Sequence, residues 1–378
     1  MAIRLLALFL CLCSLPLAAQ PASNSDLALR LLRRRAADKN AALSPISLQT
    51  AFAMAAAGAK GGTQQEIING LVLGADFLES TKKLLKNMAD DGAEVFIANR
   101  LWPSQTVSLL PSYVALSKAT FGAEPVPLDY ARGEQARQTI NSWVSENTKK
   151  KIPELIKPGL LDATTVLVLT NALYFKGAWK TSFDKGMTQS KPFRTASKGI
   201  KVPMMRQVVS HPYFENQDLQ AVRLDYKDSA LAMTILVPKR PDGWRTVREN
   251  LDPALLEQIL NESQAVKVDL SLPRFKAKSS LDVVSDMRSL GIEKAFGSAD
   301  FSGITTGGMV IGQAIHEAVV EVNEEGTVAA AATAVIATRS MSQVAIVVAD
   351  HPFLFFISDP SNEAILFVGQ VVEPESVP

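Results

Sequence analysis

The chain has 378 residues, of which 47% are hydrophobic, so it can bury a large core in one large domain or two ordinary ones. Its 39 basic and 38 acidic side chains leave a formal net charge of +1. No global field therefore attracts nucleic acid or an anionic membrane, and we expect neither as a partner. Any partner must be recognised through a local surface.

The amino terminus has the features of a cleaved secretion signal. A short positive start at residues 1–4 precedes an apolar run at 5–17, and small residues follow at 18 and 19. A buried amino-terminal helix is the alternative, but a proline near the end of the run favours a processing site. We predict that residues 1–19 are a signal peptide and that residues 20–378 form a single domain.

The positions of the cysteines agree with this division of the chain. Both cysteines, Cys11 and Cys13, fall inside the predicted signal, so the mature protein carries no disulfide. We expect a secreted, extracellular protein, or a periplasmic one if the source is a Gram-negative bacterium. Its stability must then come from the hydrophobic core.

Hydrophobic periodicity predicts helices in the first part of the mature chain and short strands in the second. The predicted helices are 27–35, 47–57 and 134–148. The predicted strands are 95–101, 166–175, 221–224, 231–237, 317–323, 344–349 and 352–357. Neither an internal repeat nor a linker rich in Pro or Ser divides the chain, which indicates one α+β domain.

Sequence motifs for catalysis and metal binding are missing. The three histidines, His211, His316 and His351, lie in no zinc-protease motif, and no Gly-x-Ser-x-Gly sequence occurs. We expect no metal and no cofactor. Counting residues alone leaves open a hydrolase with its own Ser-His-Asp triad, which would show turnover.

The most unusual segment spans residues 324–341. From Gly326 to Thr338 it contains no charge and no proline. Its four consecutive alanines favour a helix, whereas its Thr, Val and Ile residues favour a strand. Composition alone would fit an Ala-rich helix or a buried strand. Predicted strands on both sides instead make this segment a connection.

This segment resembles the mobile hinge of inhibitory serpins, a family of serine protease inhibitors. The resemblance rests on Glu324-Glu-Gly-Thr followed by the alanines, and it extends over residues 24–374. The other matching motifs are Asn171-Ala-Leu-Tyr-Phe-Lys-Gly-Ala-Trp179, Ser44-Pro-Ile-Ser47, Val202-Pro-Met-Met205, Ala314-Ile-His316-Glu-Ala-Val, Asp350-His-Pro-Phe-Leu-Phe-Phe356 and Leu366-Phe-Val-Gly369.

The resemblance implies an α+β serpin fold, with three β-sheets, eight or nine helices and an exposed reactive-centre loop at about 324–345. It also implies a monomer that inhibits proteases and is not itself an enzyme. A protease would cleave the loop, form an acyl-enzyme, and be trapped when the cleaved loop inserts into the main sheet.

The same resemblance implies two groups of site residues. The hinge that inserts first would comprise Glu324, Gly326, Thr327, Ala329, Ala330, Ala331 and Ala332. The residues that govern opening of the sheet would be Ser44, Ser47, Asn171, Trp179 and His316. For His316 alone, an ordinary hydrogen-bonded core histidine would look the same.

Two bonds are candidates for the one that the protease cleaves. The usual family register places the specificity residue at Ser340, with Met341 after the cut, and Arg339 lies one residue short of that. An arginine fits the acidic pocket of trypsin-like proteases, so we favour Arg339–Ser340. Ser340–Met341 stays as the alternative, for elastase-like or subtilisin-like enzymes.

The sequence leaves open a non-inhibitory role, glycosaminoglycan binding and glycosylation. A non-inhibitory serpin with a carrier, chaperone or storage role would usually carry bulky, charged or proline residues in the hinge. A short lysine cluster at 82–86 fits a solvated helix face better than a glycosaminoglycan site. Asn261 begins an Asn-Glu-Ser sequon, which is used only if the host glycosylates.

Overall fold

The computed structural model describes residues 24–327, 344–360 and 364–375. Within these ranges there are nine α-helices: α1 Asn24–Arg33, α2 Pro45–Gly58, α3 Gly61–Gly70, α4 Phe77–Asp90, α5 Pro111–Phe121, α6 Gly133–Asn147, α7 Trp244–Asn250, α8 Pro253–Glu262 and α9 Val284–Ser289.

The strands of the same residues are β1 Ala41–Leu43, β2 Glu94–Pro103, β3 Leu167–Ala178, β4 Gln189–Arg194, β5 Gly199–Glu215, β6 Leu219–Asp225, β7 Ala232–Pro238, β8 Gln264–Pro273, β9 Phe275–Asp282, β10 Gln313–Val322, β11 Gly326–Thr327, β12 Ala345–Val348, β13 Phe353–Asp359 and β14 Ala364–Val371. Every helix and strand predicted from periodicity corresponds to one of these elements, with ends shifted by a few residues.

The first turn of α2 shows how the sequence sets a helix start. Ser44 has an extended backbone, and its hydroxyl accepts a hydrogen bond from the amide of Ser47. Pro45 then occupies the first turn, where a missing N–H costs nothing. Almost every residue of α2 is buried, which explains why its sequence has no polar face.

A five-stranded sheet contains the strands most relevant to function. β3 pairs with β2 on one side and with β10 on the other, and β9 follows β10. Alternate side chains of β3 face opposite cores: Leu173 and Phe175 pack toward the second sheet, whereas Ala172 and Tyr174 pack under α6. Burial on both faces explains the continuous apolar run of β3.

The second sheet has nine strands in the order β1-β14-β13-β7-β6-β5-β8-β12, with β4 beside β5. The α+β class is confirmed, and the three sheets that the resemblance implies are hydrogen-bonded into two among the described residues. The reason is the length of β5, which pairs with β4 at its beginning and β6 at its end. None of the helices in the described ranges is both long and apolar enough to cross a membrane.

Candidate functional site at the seam of the five-stranded sheet

The central feature of the site is a closed seam between β3 and β10. These strands run parallel and pair directly over seven residue pairs, from Gln313 opposite Val168 to Val319 opposite Tyr174. Asn171 and His316 lie opposite each other near the middle. We call the line between the two strands the seam.

Beneath the seam, a buried network ties β3 to the first turn of α2. The amide nitrogen of Asn171 donates to the carbonyl oxygen of Ser47 at 2.9 Å and lies 2.5 Å from its hydroxyl. The backbone amide of Ser44 donates to Nε2 of His316 at 3.3 Å. All four of these residues are at most 2% exposed, so the seam cannot open without disturbing a satisfied polar cluster.

The network fixes the protonation of His316. Because Nε2 accepts from a backbone N–H, the proton of the neutral ring sits on Nδ1, which donates to the side-chain oxygen of Asn171. Burial lowers the pKa of His316 to about 3, and the positive charge of Arg35 acts in the same direction. A protonated ring would point a second donor at the Ser44 amide.

Asn99 also belongs to this network, although it lies in none of the family motifs of the sequence. It lies on β2 opposite Asn171 of β3, and its side-chain oxygen accepts from the Asn171 amide at 2.6 Å. The sequence contains one indication of a special role: an asparagine lies near the middle of the predicted strand 95–101, although asparagine is depleted in strands. It completes a row of polar side chains across three strands.

The upper end of the seam is organised around Trp179, directly after β3. Its backbone amide donates to the carbonyl of Glu325, and its indole nitrogen donates to the carbonyl of Asn323, each at 3.0 Å. The indole stacks on Tyr226 with ring centroids 4.7 Å apart. Trp179 therefore holds the turn that joins β10 to β11.

Glu324 anchors that turn in the protein body. Its side chain is 2% exposed and accepts hydrogen bonds from Arg274 at 2.9 Å and from the Thr188 hydroxyl at 2.5 Å. Burial alone would raise the pKa of Glu324, but the hydrogen bonds from Arg274 and Thr188 outweigh it, so the pKa lies below its ordinary value. The group is a charged anchor at neutral pH.

Gly326 permits the start of β11. Its φ of +133° is rarely adopted by other residues, and a Cβ there would lie 2.3 Å from the carbonyl oxygen of Gly177. Gly326 pairs with Ala178 and Thr327 with Gly177, antiparallel to β3. The two residues of β11 are thus in register with the end of β3.

The structure divides the predicted site residues into two groups along the seam. Ser44, Ser47, Asn171 and His316 meet in one network, while Trp179, Glu324, Gly326 and Thr327 gather at the upper end. Gly177, the partner of Thr327, lies six positions after Asn171 on β3, roughly 20 Å along the strand. The remaining predicted residues, Ala329, Ala330, Ala331, Ala332, Arg339, Ser340 and Met341, lie outside the described residues.

Comparison with known proteins agrees with this arrangement. The family model described as serpin (serine protease inhibitor) matches residues 22–374. The chain belongs to the serpin family. It is 36% identical to the leukocyte elastase inhibitor of Sus scrofa over 373 residues, covering 93% of this chain and 99% of the relative. It is 37% identical to Iripin-2 of Ixodes ricinus, covering 92% of each.

Solved serpin structures are similar throughout. Uncleaved ovalbumin superposes with a TM-score of 0.86 at 27% identity, covering 94% of this chain and 99% of that one. Human thyroxine-binding globulin, solved with thyroxine, gives a TM-score of 0.84 at 29% identity, covering 93% and 98%. The family is one of protease inhibitors and not of enzymes, and several of its members that are similar to this chain are named as inhibitors.

Proposed function

We propose that this serpin is a secreted suicide inhibitor of serine-type endopeptidases, which traps the acyl-enzyme by inserting its cleaved loop into the seam. One observation carries the proposal: β11 already pairs with the upper end of β3, beside the place where β3 and β10 would part. A loop cleaved downstream of β11 can extend this two-residue strand without first finding its register.

The register of β11 predicts how far the loop would travel. Thr327 lies opposite Gly177, so each further residue of the loop takes one step back along β3. Position 333 would then reach Asn171, and position 337 would reach Leu167. Ten steps along a strand are roughly 33 Å, so a protease attached beyond residue 337 would be carried to the opposite end of the sheet.

The residue types of the loop suit this insertion. By the same register, positions 327, 329, 331 and 333 would lie on the face of Gly177, Phe175 and Leu173, which line the core between the sheets. Those positions are Thr, Ala, Ala and Thr, so the parted sheet would not be overpacked. A charge there would be buried unpaired, and a proline would remove a ladder hydrogen bond.

Insertion would also be favourable in free energy. It would replace one parallel pairing by two antiparallel pairings over about a dozen residues. At roughly 0.5–1.5 kcal/mol net for each backbone hydrogen bond, the gain is on the order of ten kcal/mol before side-chain burial. We propose that this free energy drives the distortion of the bound protease.

We infer that the cleaved bond is Arg339–Ser340 and that the first target class is trypsin-like. The arginine supports this choice because it fits an acidic specificity pocket. Relatives named leukocyte elastase inhibitors, in Sus scrofa and Homo sapiens, support elastase-like proteases as a second class through Ser340. Subtilisin-like enzymes are a further candidate.

Secretion is supported by the sequence of residues 1–19 alone. A positively charged start, an apolar run and small residues before position 20 fit a signal peptide. Amino-terminal sequencing of the protein exported by its host should find Gln20 first. A mature chain that begins at Met1 or Ala2 would contradict export by this route.

The experiment that tests inhibition is incubation of the protein with trypsin and with elastase, followed by denaturing gel electrophoresis. We expect a complex that survives boiling, together with loss of protease activity at close to one inhibitor per enzyme. Cleavage of the loop with full protease activity retained would contradict the proposal.

A non-inhibitory role is the second candidate, because one similar structure is a thyroxine-binding globulin solved with thyroxine. The absence of charge and proline from 326 to 338 argues against it. The same gel distinguishes the two functions, since a carrier would be cut without forming a stable complex.

A further inference from the structure

An unusual apolar surface lies on β5 and β12. Four of its side chains are strongly exposed: Val208 at 39%, Val344 at 40%, Ile346 at 65% and Val348 at 38%. We call these four residues the β12 patch. Among the described residues only one other large hydrophobic side chain, Met187, is comparably exposed, at 42%.

The patch is contiguous across the sheet. Val208 of β5 and Ile346 of β12 both pair with Asp269 of β8, so all three side chains lie on one face in one row. Arg206 binds Asp269 through two hydrogen bonds, of 2.8 and 2.6 Å, which neutralises both charges. The surface between the two apolar strands is therefore polar, with the carboxylate of Asp269 paired to Arg206.

The fold does not require apolar residues at these positions. Val347 points inward and is fully buried, while its neighbours on β12 point outward. Among the described strands β12 ends the strand order of its sheet, and exposed edge strands usually carry charges or proline. The sequence Ala-Ile-Val-Val of β12 has neither, so the patch exposes apolar area that folding alone leaves unexplained.

The position of the patch in the chain indicates what covers it. Four residues separate Ser340 from the first residue of β12, so the reactive bond lies within roughly 18 Å of β12 even with the chain fully extended. A protease domain is at least about 30 Å across. A protease seated on that bond is wider than this distance, so its surface can reach the start of β12.

We propose that the β12 patch is a docking surface for the target protease, contacting the apolar rim of its active site on the side that binds residues after the cleaved bond. This inference rests on the proposed function, because it takes the protease as the occupant. The patch raises the rate at which the correct protease engages the loop, independently of the specificity residue.

The test is a double variant, Ile346→Thr with Val208→Thr. Threonine keeps the strand preference of both positions, and its hydroxyl replaces one methyl group of Val208 and the ethyl group of Ile346. The measured quantity is the second-order rate constant for attack on the loop by trypsin and by elastase, counting complex and cleaved product together. We expect this constant to fall about five- to twenty-fold for the preferred protease, with the unfolding temperature unchanged.

Met187→Thr is the matched control, because it removes a similar exposed apolar side chain outside the patch. Its rate constant should equal that of the unaltered protein. The proposal is wrong if the double variant is attacked as fast as the unaltered protein, or if the control slows equally. It is also wrong if neither protease attacks the loop.

The outcomes separate this inference from the proposed function. If the unaltered protein inhibits and the double variant inhibits equally fast, the function holds and the docking surface does not. If the loop is merely cleaved, but more slowly in the double variant, the docking surface holds and the inhibitory function does not. Sedimentation of the free protein tests a second copy as occupant: a dimer lost in the double variant would overturn the protease assignment.

Discussion

His316 and Asn171 face each other across the parallel pairing of β3 and β10, and Nδ1 of the histidine donates to the side-chain oxygen of the asparagine. The two strands are thus joined at one point by both backbone and side-chain hydrogen bonds. Separating them breaks the ladder and exposes a neutral, buried ring. The stability of the closed seam should therefore depend on the charge of this ring.

We predict that the free energy of unfolding falls as the pH drops from about 6.5 toward 3. The pKa of His316 is about 3 when folded, against an ordinary value of 6.5. The unfolded chain therefore binds the proton that the folded chain refuses, and each pH unit within this window costs up to about 1.4 kcal/mol. Urea unfolding from pH 7.5 to pH 4.5 measures the slope.

His316→Gln is the control for this slope. It should be less stable at pH 7.5 because the network is incomplete, yet it should lose less stability on acidification. His211, whose pKa is also lowered by burial, contributes part of the slope that the variant retains. Identical slopes for the variant and the unaltered protein would contradict the assignment to His316.

We predict that Glu324→Gln destabilises the native protein by about 2–3 kcal/mol. The substitution removes the charged partner of Arg274 from a nearly inaccessible position. Glu325→Gln is the matched control, since its partner Lys185 is 65% exposed, and it should cost no more than about 0.5 kcal/mol. Urea unfolding at neutral pH compares the two, and equal losses would refute the anchoring role of Glu324.

Thr327→Arg should convert the inhibitor into a substrate. By the register of β11, an inserted strand would place this arginine in the core between the sheets, which slows insertion until the acyl-enzyme hydrolyses. The loop should be cut at the same bond at a similar initial rate, while active protease is released. The measurement is the number of inhibitor molecules consumed per protease inhibited.

Val328→Glu is the control for the hinge. The same register would place it beside Lys176 on the other face, where that lysine side chain is 27% exposed. This variant should inhibit with nearly unchanged stoichiometry. An unchanged stoichiometry for Thr327→Arg, with a cleaved form as heat-resistant as the unaltered one, would show that residue 327 does not enter the core.

Arg339→Ala should abolish inhibition of trypsin-like proteases, because it removes the side chain that fills their acidic pocket. Inhibition of an elastase should persist or improve, since Ser340 is unchanged. Association rate constants with both enzymes measure the switch. Equal inhibition of trypsin by Arg339→Ala would place the reactive bond elsewhere in the loop.

The sequence predicted the fold where local pattern determines structure. The long apolar run of β3 reads directly as a strand buried on both faces, and Ser44 with Pro45 marks the start of α2. The joining of the expected sheets through β5 was not predictable, because it depends on how far strands distant in sequence stay paired. Hydrophobic periodicity predicts individual helices and strands, but not which strands pair with each other.

From the sequence, only those site residues that belong to a family motif could be predicted. Asn171 and His316 were identified through the resemblance, whereas Asn99 was missed because its role appears only when β2 is placed beside β3. The partners of Glu324 were missed for the same reason. Thr188 lies 136 residues from it and Arg274 lies 50 residues away, so no local pattern connects them.

The direct pairing of β3 with β10 also bears on how this protein would be stored and used. If insertion adds a strand that no later step removes, every molecule is consumable, and inhibitory capacity is a count of intact molecules and not a catalytic rate. If the seam opened spontaneously in solution, the inhibitory activity would fall while the protein concentration stayed constant. The stability of the hydrogen bonds that close the seam would then set how long the protein remains active as an inhibitor.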